Sequence, residues 1–467
     1  MTNRELIIAL GYLLASVLFI LGIKLLGKPS TARRGNFYSA VGMLVAVGVT
    51  LMHQNILSWT EIFATVLVGT AIGWIAAKRV EMTQMPEMVA LFNGFGGAAS
   101  MFVATSEQWH VAIEQGGKPE LITAITTVVS IIIGAITLTG SLIAYGKLSG
   151  KVSGKAIVFS GQHLLNLVLA LAMVGAAVWS IQAPAHLLPL LLMLGIALLL
   201  GVLTVIPIGG ADMPVVVSLL NSYSGIAACA TGFVLNNQVL IIAGALVGAS
   251  GLILTQIMCK AMNRSLVSVL LGGFGQTSGS GSAVGSSEIV VKEVHPEEAA
   301  MLFDGASSVI IVPGYGMAVA QAQHVVRELM ELLEKRGIDV KFAIHPVAGR
   351  MPGHMNVLLA EANVPYDKLV EMEQINDEFA NTDVVLVIGA NDVVNPAALK
   401  DPSSPIYGMP ILNAYQAKTV IICKRSMNPG YAGIENELFG YPNALMMFGD
   451  AKKTITEVVN ELKENAS

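Results

Sequence analysis

Long runs of apolar residues alternate with short polar segments over the first 264 positions of the chain. Helices of roughly 17–25 apolar residues are long enough to cross the hydrocarbon core of a bilayer. No small-residue cleavage site follows the first run, which is therefore interpreted as a membrane span rather than a removed signal peptide. The pattern predicts nine spans, at residues 6–26, 38–54, 61–78, 86–105, 122–145, 164–181, 186–206, 214–234 and 238–259.

Beyond residue 290 the pattern changes, and short β-rich runs alternate with helical patterns. This alternation is typical of a parallel sheet whose strands are joined by helices. The sequence predicts a polytopic α-helical membrane domain (1–264) and a Rossmann-like, doubly wound α/β domain with a parallel sheet (290–467). Strands are predicted at Ser308–Val312, Val340–His345, Val384–Gly389, Thr419–Lys424 and Leu445–Phe448, and helices at Glu297–Leu302, Met317–Arg336, Pro365–Ala380 and Ala451–Lys463.

The segment between the two predicted domains is rich in glycine and serine and has no apolar period. Such sequences behave as flexible coils, and this one has a reach of roughly 20–25 Å. We therefore expect residues 265–289 to form a flexible linker. The α/β domain is then able to rock against the membrane without separating from it.

Basic residues predict the orientation of the spans. They follow the first, third, fifth and ninth spans, whereas the alternate loops, including Ser106–Glu120 and Gln182–His186, are nearly free of them. Because cytoplasmic loops carry the excess of Lys and Arg, the N-terminus is expected outside and the α/β domain in the cytoplasm. The residues used are Lys24, Lys28, Arg33, Arg34, Lys78, Arg79, Lys147, Lys151, Lys155, Lys260 and Arg264.

Composition and charge agree with a membrane protein. Of the 467 residues, 54% are hydrophobic and only 13% are charged, which excludes a soluble globular protein of ordinary type. Residues 1–289 carry a net charge of +4 and the remainder −9. An acidic domain without a basic groove argues against nucleic acid as a partner. Three scattered cysteines indicate neither a disulfide framework nor a zinc site, and no other metal cluster is predicted.

Three polar residues at or inside predicted spans are candidates for function, because such groups are costly in a bilayer. Asn93 lies inside the fourth span, Asn221 lies inside the eighth, and Asp212 immediately precedes the eighth. The alternative for either asparagine is a hydrogen bond between helices without any transport role. A carboxylate beside two glycines at a membrane boundary, as at Asp212, needs a partner or a function.

The run Val309–Gln321 leads from an apolar strand through Gly314-Tyr315-Gly316 into an alanine-rich helical pattern. This is how a dinucleotide-binding βαβ unit begins, with glycines that permit a tight turn and close approach to a pyrophosphate. A third glycine is absent, since Val319 or Ala320 stands in its place. An ordinary strand-to-helix turn is the alternative interpretation.

Basic residues after the second and fourth predicted strands favour NADP over NAD. NAD-binding units place an acid at the end of the second strand, but here that strand leads to Arg350. The fourth strand ends at the cluster Lys424-Arg425-Ser426. Arginine, lysine and serine suit a phosphate, and solvated surface charges are the alternative. In neighbouring loops Asp392 is a candidate to bond a ribose or nicotinamide, and Tyr431 a candidate to stack in a lid.

Six segments resemble the β subunit of the proton-translocating NAD(P)+ transhydrogenase. The resemblance covers nearly the whole chain and its motifs are long. They are Gly209–Ser218, Asn221–Gly225, Pro313–Gln323, His345–Glu361, Gly389–Asp392 and Lys424–Gly433.

The resemblance implies the reaction and the partners. Hydride passes from NADH on a partner α subunit to NADP+ on this chain, driven by inward proton flow. The partner is implied to bring the NAD(H)-binding domain and further membrane spans, and two αβ units to form a dimer. The implied location is a bacterial inner membrane, with the N-terminus periplasmic. The family binds the nucleotide in reversed orientation, so the Gly314–Gly316 turn is not expected to grip pyrophosphate.

The resemblance also implies roles for individual residues. Arg350 and the cluster at Lys424 meet the adenosine end and its 2′-phosphate, and Asp392, the implied catalytic residue, lies near the nicotinamide ribose. The implied proton path and coupling residues are Asn93, Asp212, Asn221, Ser250 and Gly251. The implied NADP-binding residues are Gly314, Tyr315, Gly316, Val347, Ala348, Gly349, Arg350, Met351, Pro352, Gly389, Ala390, Asn391, Asp392, Val393, Lys424, Arg425, Ser426, Met427, Asn428, Pro429, Gly430, Tyr431, Asp450 and Ala451.

One position departs from the family pattern. Some members carry a histidine where this chain has Asn93, and an asparagine cannot titrate. We therefore hypothesise that a histidine of the partner subunit carries the proton. A channel or transporter gated by a nucleotide-sensing domain is the alternative function, although no selectivity-filter sequence or inverted repeat supports it. A haem reductase is disfavoured, because facing histidine pairs are absent from the spans.

Overall fold

The computed structural model describes residues 3–53, 59–271, 290–404, 406–430 and 432–465. Every predicted span is confirmed by a helix within these ranges, and the nine helices are long and apolar enough to cross a membrane. The helices are Asn3–Leu26 (α1), Ala32–His53 (α2), Trp59–Arg79 (α3), Met85–Gln108 (α4), Leu121–Leu148 (α5), Gln162–Gln182 (α6), Leu187–Val205 (α7), Met213–Val234 (α8) and Gln238–Ala261 (α9).

Small residues let neighbouring membrane helices approach closely, which is how such helices commonly pack in lipid. A Cβ atom on Gly97 of α4 would lie 2.7 Å from the Cβ of Thr137 in α5, and one on Gly134 would lie 2.5 Å from the Gly97 oxygen. Gly225 of α8 meets Gly248 of α9 in the same way, at 2.4 Å. Larger side chains at these positions would force the helices apart.

The described residues divide into two compact units. One contains residues 3–53, 59–255 and 270–271, and the other contains residues 256–269 and those from 290 onward. The predicted linker begins with a short helix, Leu266–Leu270 (α10). Its Gly/Ser-rich residues, 272–289, lie outside the described residues.

The second unit contains a six-stranded parallel sheet in the order β3-β2-β1-β4-β5-β6, which confirms the doubly wound fold. The strands are Ser308–Pro313 (β1), Asp339–Ile344 (β2), Leu369–Glu371 (β3), Val384–Ile388 (β4), Thr419–Lys424 (β5) and Ala444–Phe448 (β6). The helices are Pro296–Asp304 (α11), Tyr315–Val319 (α12), Gln323–Lys335 (α13), His354–Glu361 (α14), Met372–Ile375 (α15), Ala397–Lys400 (α16) and Ala451–Glu464 (α17).

Two predicted helices are wrong. The helix predicted at Met317–Arg336 is interrupted between α12 and α13, where Gln321 adopts a positive φ of 50°. The helix predicted at Pro365–Ala380 is replaced by a 3-10 turn, strand β3, the one-turn helix α15 and a second 3-10 turn. In the second case, pairing with β2 outweighs the local helical pattern.

The chain that enters the sheet domain covers one edge of the sheet. The backbone N–H of Val294 donates to the Met446 oxygen of β6 at 2.9 Å, and the Met446 N–H donates to the Lys292 oxygen at 2.7 Å. The Lys292 ammonium also donates to the oxygen of Pro442 at 2.9 Å. Residues 292–294 therefore satisfy backbone groups that β6 would otherwise expose.

Candidate functional site

The candidate site lies at the carboxyl edge of the sheet, around the boundary between β1 and β4. These two strands are neighbours, but the chain leaves β1 towards β2 and leaves β4 towards β5. Doubly wound sheets bind ligands in the crevice that this reversal opens. The predicted segments following β1, β2, β4 and β5 are all brought to this edge, because parallel strands end on the same side.

The glycines of the first turn are explained by contact between two backbone segments. Gly316 donates its N–H to the Gly389 oxygen at 2.9 Å. A Cβ atom on Gly314 would lie 2.3 Å from that same oxygen, and one on Gly389 would lie 2.2 Å from the nitrogen of Met317. The loops after β1 and β4 thus cross without room for side chains. The helix that follows, α12, has only five residues and offers little dipole for a phosphate.

Arg350 is held flat against an aromatic ring at this edge. Its guanidinium carbon lies 4.2 Å from the centroid of the Tyr315 ring, a cation–π arrangement. Its backbone N–H donates to Nδ1 of His354 at 3.0 Å. Gly349, with a φ of 104°, leaves room for that imidazole, since a Cβ there would lie 2.6 Å from His354. The loops after β1 and β2 together therefore fix the orientation of the arginine.

Four further predicted residues of this region differ in exposure. Ala348 and Met351 are buried, whereas Val347 and Pro352 are half-buried. Val347 packs against the hydrophobic core of the domain. The buried pair therefore supports the Arg350 loop from beneath, and any contact between these two side chains and a ligand would require the loop to move.

Asp392 binds the segment that was predicted to act as a lid. Its Oδ2 accepts the backbone N–H of Ala432 at 2.9 Å. A Cβ on Gly430 would lie 2.6 Å from Oδ1 of the same carboxylate. The Asn436 amide reinforces this junction by donating to the Asn391 backbone and side-chain oxygens at 3.0 and 2.9 Å. Tyr431, the predicted stacking residue, lies outside the described residues.

The end of β5 presents the second basic cluster. Burial lowers the pKa of the Lys424 ammonium, and the Asp392 carboxylate opposes that shift. Lys424 donates to the Asn428 oxygen and lies 5.2 Å from the centroid of the Phe439 ring. Arg425 is exposed, and no carboxylate of the described residues lies within ion-pair distance of it. Arg425 is therefore available to an anion, whereas the Lys424 ammonium already donates to the Asn428 oxygen.

Other predicted residues near this cluster have structural contacts. The hydroxyl of Ser426 accepts the N–H of Asn428 at 3.4 Å. Asp450 caps α17 by accepting the Lys453 N–H at 3.2 Å, and Ala451 is buried. The structure therefore brings Asp450 to the carboxyl edge of the sheet and gives it a helix-capping role. Among the remaining predicted residues, Ala390 and Val393 are buried and Met427, Asn428 and Pro429 are exposed.

His345, at the end of β2, stabilises the Arg350 loop in its neutral form. Its Nε2 donates to the Pro410 oxygen at 2.8 Å, and its Nδ1 accepts the N–H of Val347 at 3.2 Å. Since a carbonyl only accepts and an amide N–H only donates, the two contacts require the neutral Nε2–H tautomer. Burial lowers the pKa of His345 to about 4, and the bond to Pro410 partly opposes this.

Acid is therefore expected to loosen this loop. Between pH 6.5 and about 4, the unfolded chain binds a proton at His345 that the folded domain excludes. The contribution of His345 to the free energy of unfolding should fall by about 3 kcal/mol as the pH is lowered through this window, and should stay constant above it. Hydrogen exchange of residues 340–350, corrected for intrinsic rates, measures the effect. A His345→Phe variant should lose this pH dependence, whereas His324→Gln, at an exposed position, should retain it.

The membrane residues predicted to act together are only partly brought together. Asn93 of α4 is buried and donates to the Val217 oxygen of α8 at 3.1 Å, one helical turn before the half-buried Asn221. Asp212 ends the 3-10 turn that leads into α8. Gly251 of α9 packs against Ser222 of α8. Ser250, by contrast, is exposed and its hydroxyl donates to Val247 of its own helix.

Sequence reasoning missed the structural role of Lys147, which was used only as an orientation signal. Its side chain is buried, and the ammonium donates to the oxygens of Ile206, Ile208 and Lys155 at 2.6, 2.7 and 3.2 Å. These three bonds use all three N–H donors of the ammonium. Two of them fix the backbone that follows α7, just before the turn at Asp212. No local pattern distinguishes such a lysine from one in a solvated loop.

Several features of the site suit a dinucleotide phosphate. Arg350 and Arg425 offer guanidinium groups, and the buried Asn391 Nδ2 has no hydrogen-bond partner among the described residues. Throughout the described residues, no group of three His, Cys, Asp or Glu side chains is placed to hold a metal ion. The donor set therefore fits a nucleotide that carries an additional phosphate.

These features define an integral membrane protein that carries a Rossmann-like domain. The family model described as NAD(P) transhydrogenase beta subunit matches residues 8–461. The proteins named NAD(P) transhydrogenase subunit beta from Rhodospirillum rubrum and from one of its strains are each 51% identical over 456 residues, covering 97% of this chain and 98% of theirs. The chain belongs to the NAD(P) transhydrogenase β-subunit family, and it is a subunit of an oxidoreductase.

Proposed function

We propose that this chain binds NADP(H) at the carboxyl edge of its sheet and couples hydride transfer to inward proton translocation. The hydride donor is NADH held by a partner α subunit. The observation that carries the proposal is the pair of basic groups flanking the β1–β4 boundary, Arg350 on Tyr315 and the cluster at Lys424–Ser426. Two phosphate-binding groups at a doubly wound switch point fit NADP(H) better than NAD(H).

The residues around the boundary between β1 and β4 bind different parts of the nucleotide. Arg350 and the Lys424–Ser426 cluster hold the adenosine end and its 2′-phosphate, while Asp392 lies at the nicotinamide ribose. The nicotinamide supplies the hydride chemistry when bound. The bond from the Ala432 N–H to Asp392 ties the backbone at Ala432, within the proposed lid, to that carboxylate. The crossing at Gly314 and Gly389 keeps the two loops in fixed register.

Proton movement belongs to the membrane helices. Asn93, Asp212, Asn221, Ser250 and Gly251 line or adjoin the proposed path, and Asp212 couples it to the nucleotide domain. Asn93 holds a water or a backbone oxygen but does not titrate, so the protonated intermediate is a histidine of the α subunit. If an α subunit lacking membrane histidines supported full pumping with this chain, that assignment would be wrong.

The assembly follows from the same proposal. The chain resides in a bacterial inner membrane with its N-terminus in the periplasm and its sheet domain in the cytoplasm, as the distribution of Lys and Arg indicates. It joins an α subunit that supplies the NAD(H)-binding domain and further spans, and two αβ units form a dimer. Helix α3, none of whose side chains is buried within this chain, is consistent with such partners.

Replacing Arg425 with alanine tests the cofactor assignment. The change should raise the Kd for NADP+ by roughly 10- to 100-fold, because a charge-assisted bond to phosphate contributes about 1.5–3 kcal/mol. NAD(H) binding by the α subunit should stay unchanged. Titration calorimetry on the purified complex measures both affinities.

Lys418→Ala is the matched control for this experiment. Lys418 precedes the same strand at its opposite end, where it pairs with Asp383 at 2.7 Å. Its loss should leave both nucleotide affinities unaltered. Equal weakening of NADP+ and NAD+ in the Arg425 variant would contradict the phosphate assignment, as would an unchanged NADP+ affinity.

A further inference from the structure

A cavity of about 120 Å³ lies among the ends of α4, α5 and α6, and nothing in the proposed function uses it. It is at the same end of the membrane unit as the loop 106–120 and far along α4 from Asn93. Its lining includes the polar residues Glu107, Gln108, Thr123, Thr127 and Ser180. The volume accommodates several water molecules, and polar groups are available to bond them.

Gln108 gives the cavity an unfilled acceptor. The residue is only 6% exposed, and its amide nitrogen donates to the hydroxyl of Ser180 at 2.8 Å. Its Oε1 atom is buried and has no hydrogen-bond partner among the described residues. An amide oxygen buried without a donor is unfavourable, so a water or hydronium donor at this point is favoured.

Charge around the cavity favours a cation over an anion. Glu107 lines it, and the segment 106–120 contains three glutamates and one lysine. The α4 helix continues beyond Gln108 as a π-helix over Trp109–Glu114, in which the His110 ring bonds Glu114 at 3.0 Å. Wide π turns of this kind are frequent at functional sites.

Polar side chains continue inward from the cavity along one face of α5. Thr127 is followed by Ser130, whose hydroxyl lies 2.7 Å from that of Thr231 in α8. Further along the same face, Ser141 is fully buried, and its hydroxyl has no hydrogen-bond partner among the described residues. Ser141 packs against Gly94, the neighbour of Asn93. Hydroxyl groups both donate and accept, so this face offers polar contacts between the cavity and Asn93.

We propose that this cavity is a water-filled, cation-selective vestibule through which protons enter the membrane helices, with Gln108 as a buried acceptor in its wall. Its role in pumping rests on the proposed function. Its hydration and its charge selectivity do not, since both can be measured without turnover.

Thiol labelling in the assembled complex tests the vestibule directly. Thr127→Cys places a thiol on the cavity wall. Ile125→Cys places a thiol on the same helix but outside the cavity lining, on a face that is exposed in this chain. Thiolates form and react in water, so an ammonium-bearing methanethiosulfonate should modify position 127 roughly tenfold faster than position 125. It should also react there faster than the sulfonate-bearing reagent. Mass spectrometry of the α5 peptide separates these thiols from the native cysteines.

Gln108→Leu provides the second measurement, with Gln115→Leu at an exposed position as its control. The Gln108 variant should slow labelling at position 127 and reduce proton uptake per hydride transferred, whereas the control should alter neither. The vestibule proposal is overturned if position 127 is labelled no faster than position 125. It is also overturned if the two reagents label position 127 at equal rates. A complex that labels as expected but transfers no hydride instead refutes the proposed function and leaves the vestibule supported.

Discussion

Replacing Gly389 with alanine is expected to destabilise the sheet domain by about 3 kcal/mol or more, a large part of the stability of a typical domain. Two penalties combine at this position. The residue has a φ of 67°, and an added Cβ would lie 2.2 Å from the Met317 nitrogen and 2.5 Å from Gly316. Both contacts are to backbone, so no side-chain rotation relieves them. Protease resistance of residues 290–465, with and without NADP+, measures the loss.

Gly337→Ala is the control for this change. Gly337 has a φ of 81° but no heavy atom within 4 Å of an added Cβ. It should therefore show only the conformational penalty, about 1 kcal/mol. Comparable damage from both substitutions would mean that the crossing of the two loops contributes little. A Gly389 variant that folds and binds NADP+ normally would show that the loops separate easily.

Replacing Asp212 with asparagine should uncouple hydride transfer from proton movement. The residue ends a turn at the start of α8, and the Gly210 N–H in that turn donates to the Gly154 oxygen at 2.8 Å. Asparagine keeps the size of the side chain but loses its charge. We expect NADP(H) to remain bound and the proton-to-hydride ratio to fall roughly tenfold, because the coupling between the two sites is lost.

The measurement uses vesicles with an internal pH dye and an NAD+ analogue reduced by NADPH. Glu81→Gln is a suitable control, because Glu81 is an exposed carboxylate just before the 3-10 turn that leads into α4. It should preserve both activities. Normal pumping by the Asp212 variant would remove this residue from the coupling path, and loss of bound NADP(H) would assign it a folding role.

Strong periodic patterns explain why most elements were predictable. Strands β1, β4 and β5 are buried runs of β-branched and other apolar residues, and the structure places each within one residue of its predicted limits. Strand β3 has only three residues, and it was hidden in a helical pattern. The apolar residues of that pattern, Met372, Ile375 and Phe379, do reach the core, but from short turns after β3. Their spacing correctly indicated that these side chains are buried, but it did not determine the path of the backbone.

The positions of the site residues followed from one rule, that parallel strands end on the same edge. The rule placed Arg350, Asp392 and Lys424 at one edge before any contact was known. It could not show that Gly314 packs against Gly389, because those residues are 75 positions apart in sequence. In the membrane helices, likewise, no sequence pattern separates the buried ammonium of Lys147 from neighbouring exposed lysines. Long-range contacts decide these roles, and no local pattern encodes them.

The edge contact made by residues 292–294 protects the outer strand β6 of the sheet domain. These residues add a short strand-like segment beside β6 and use hydrogen-bonding groups that would otherwise recruit another chain. A fragment that started at helix α11 would contain all six strands and still present an open edge, the usual origin of edge-to-edge aggregation. A fragment intended to keep the edge at β6 covered therefore has to include residues 292–294.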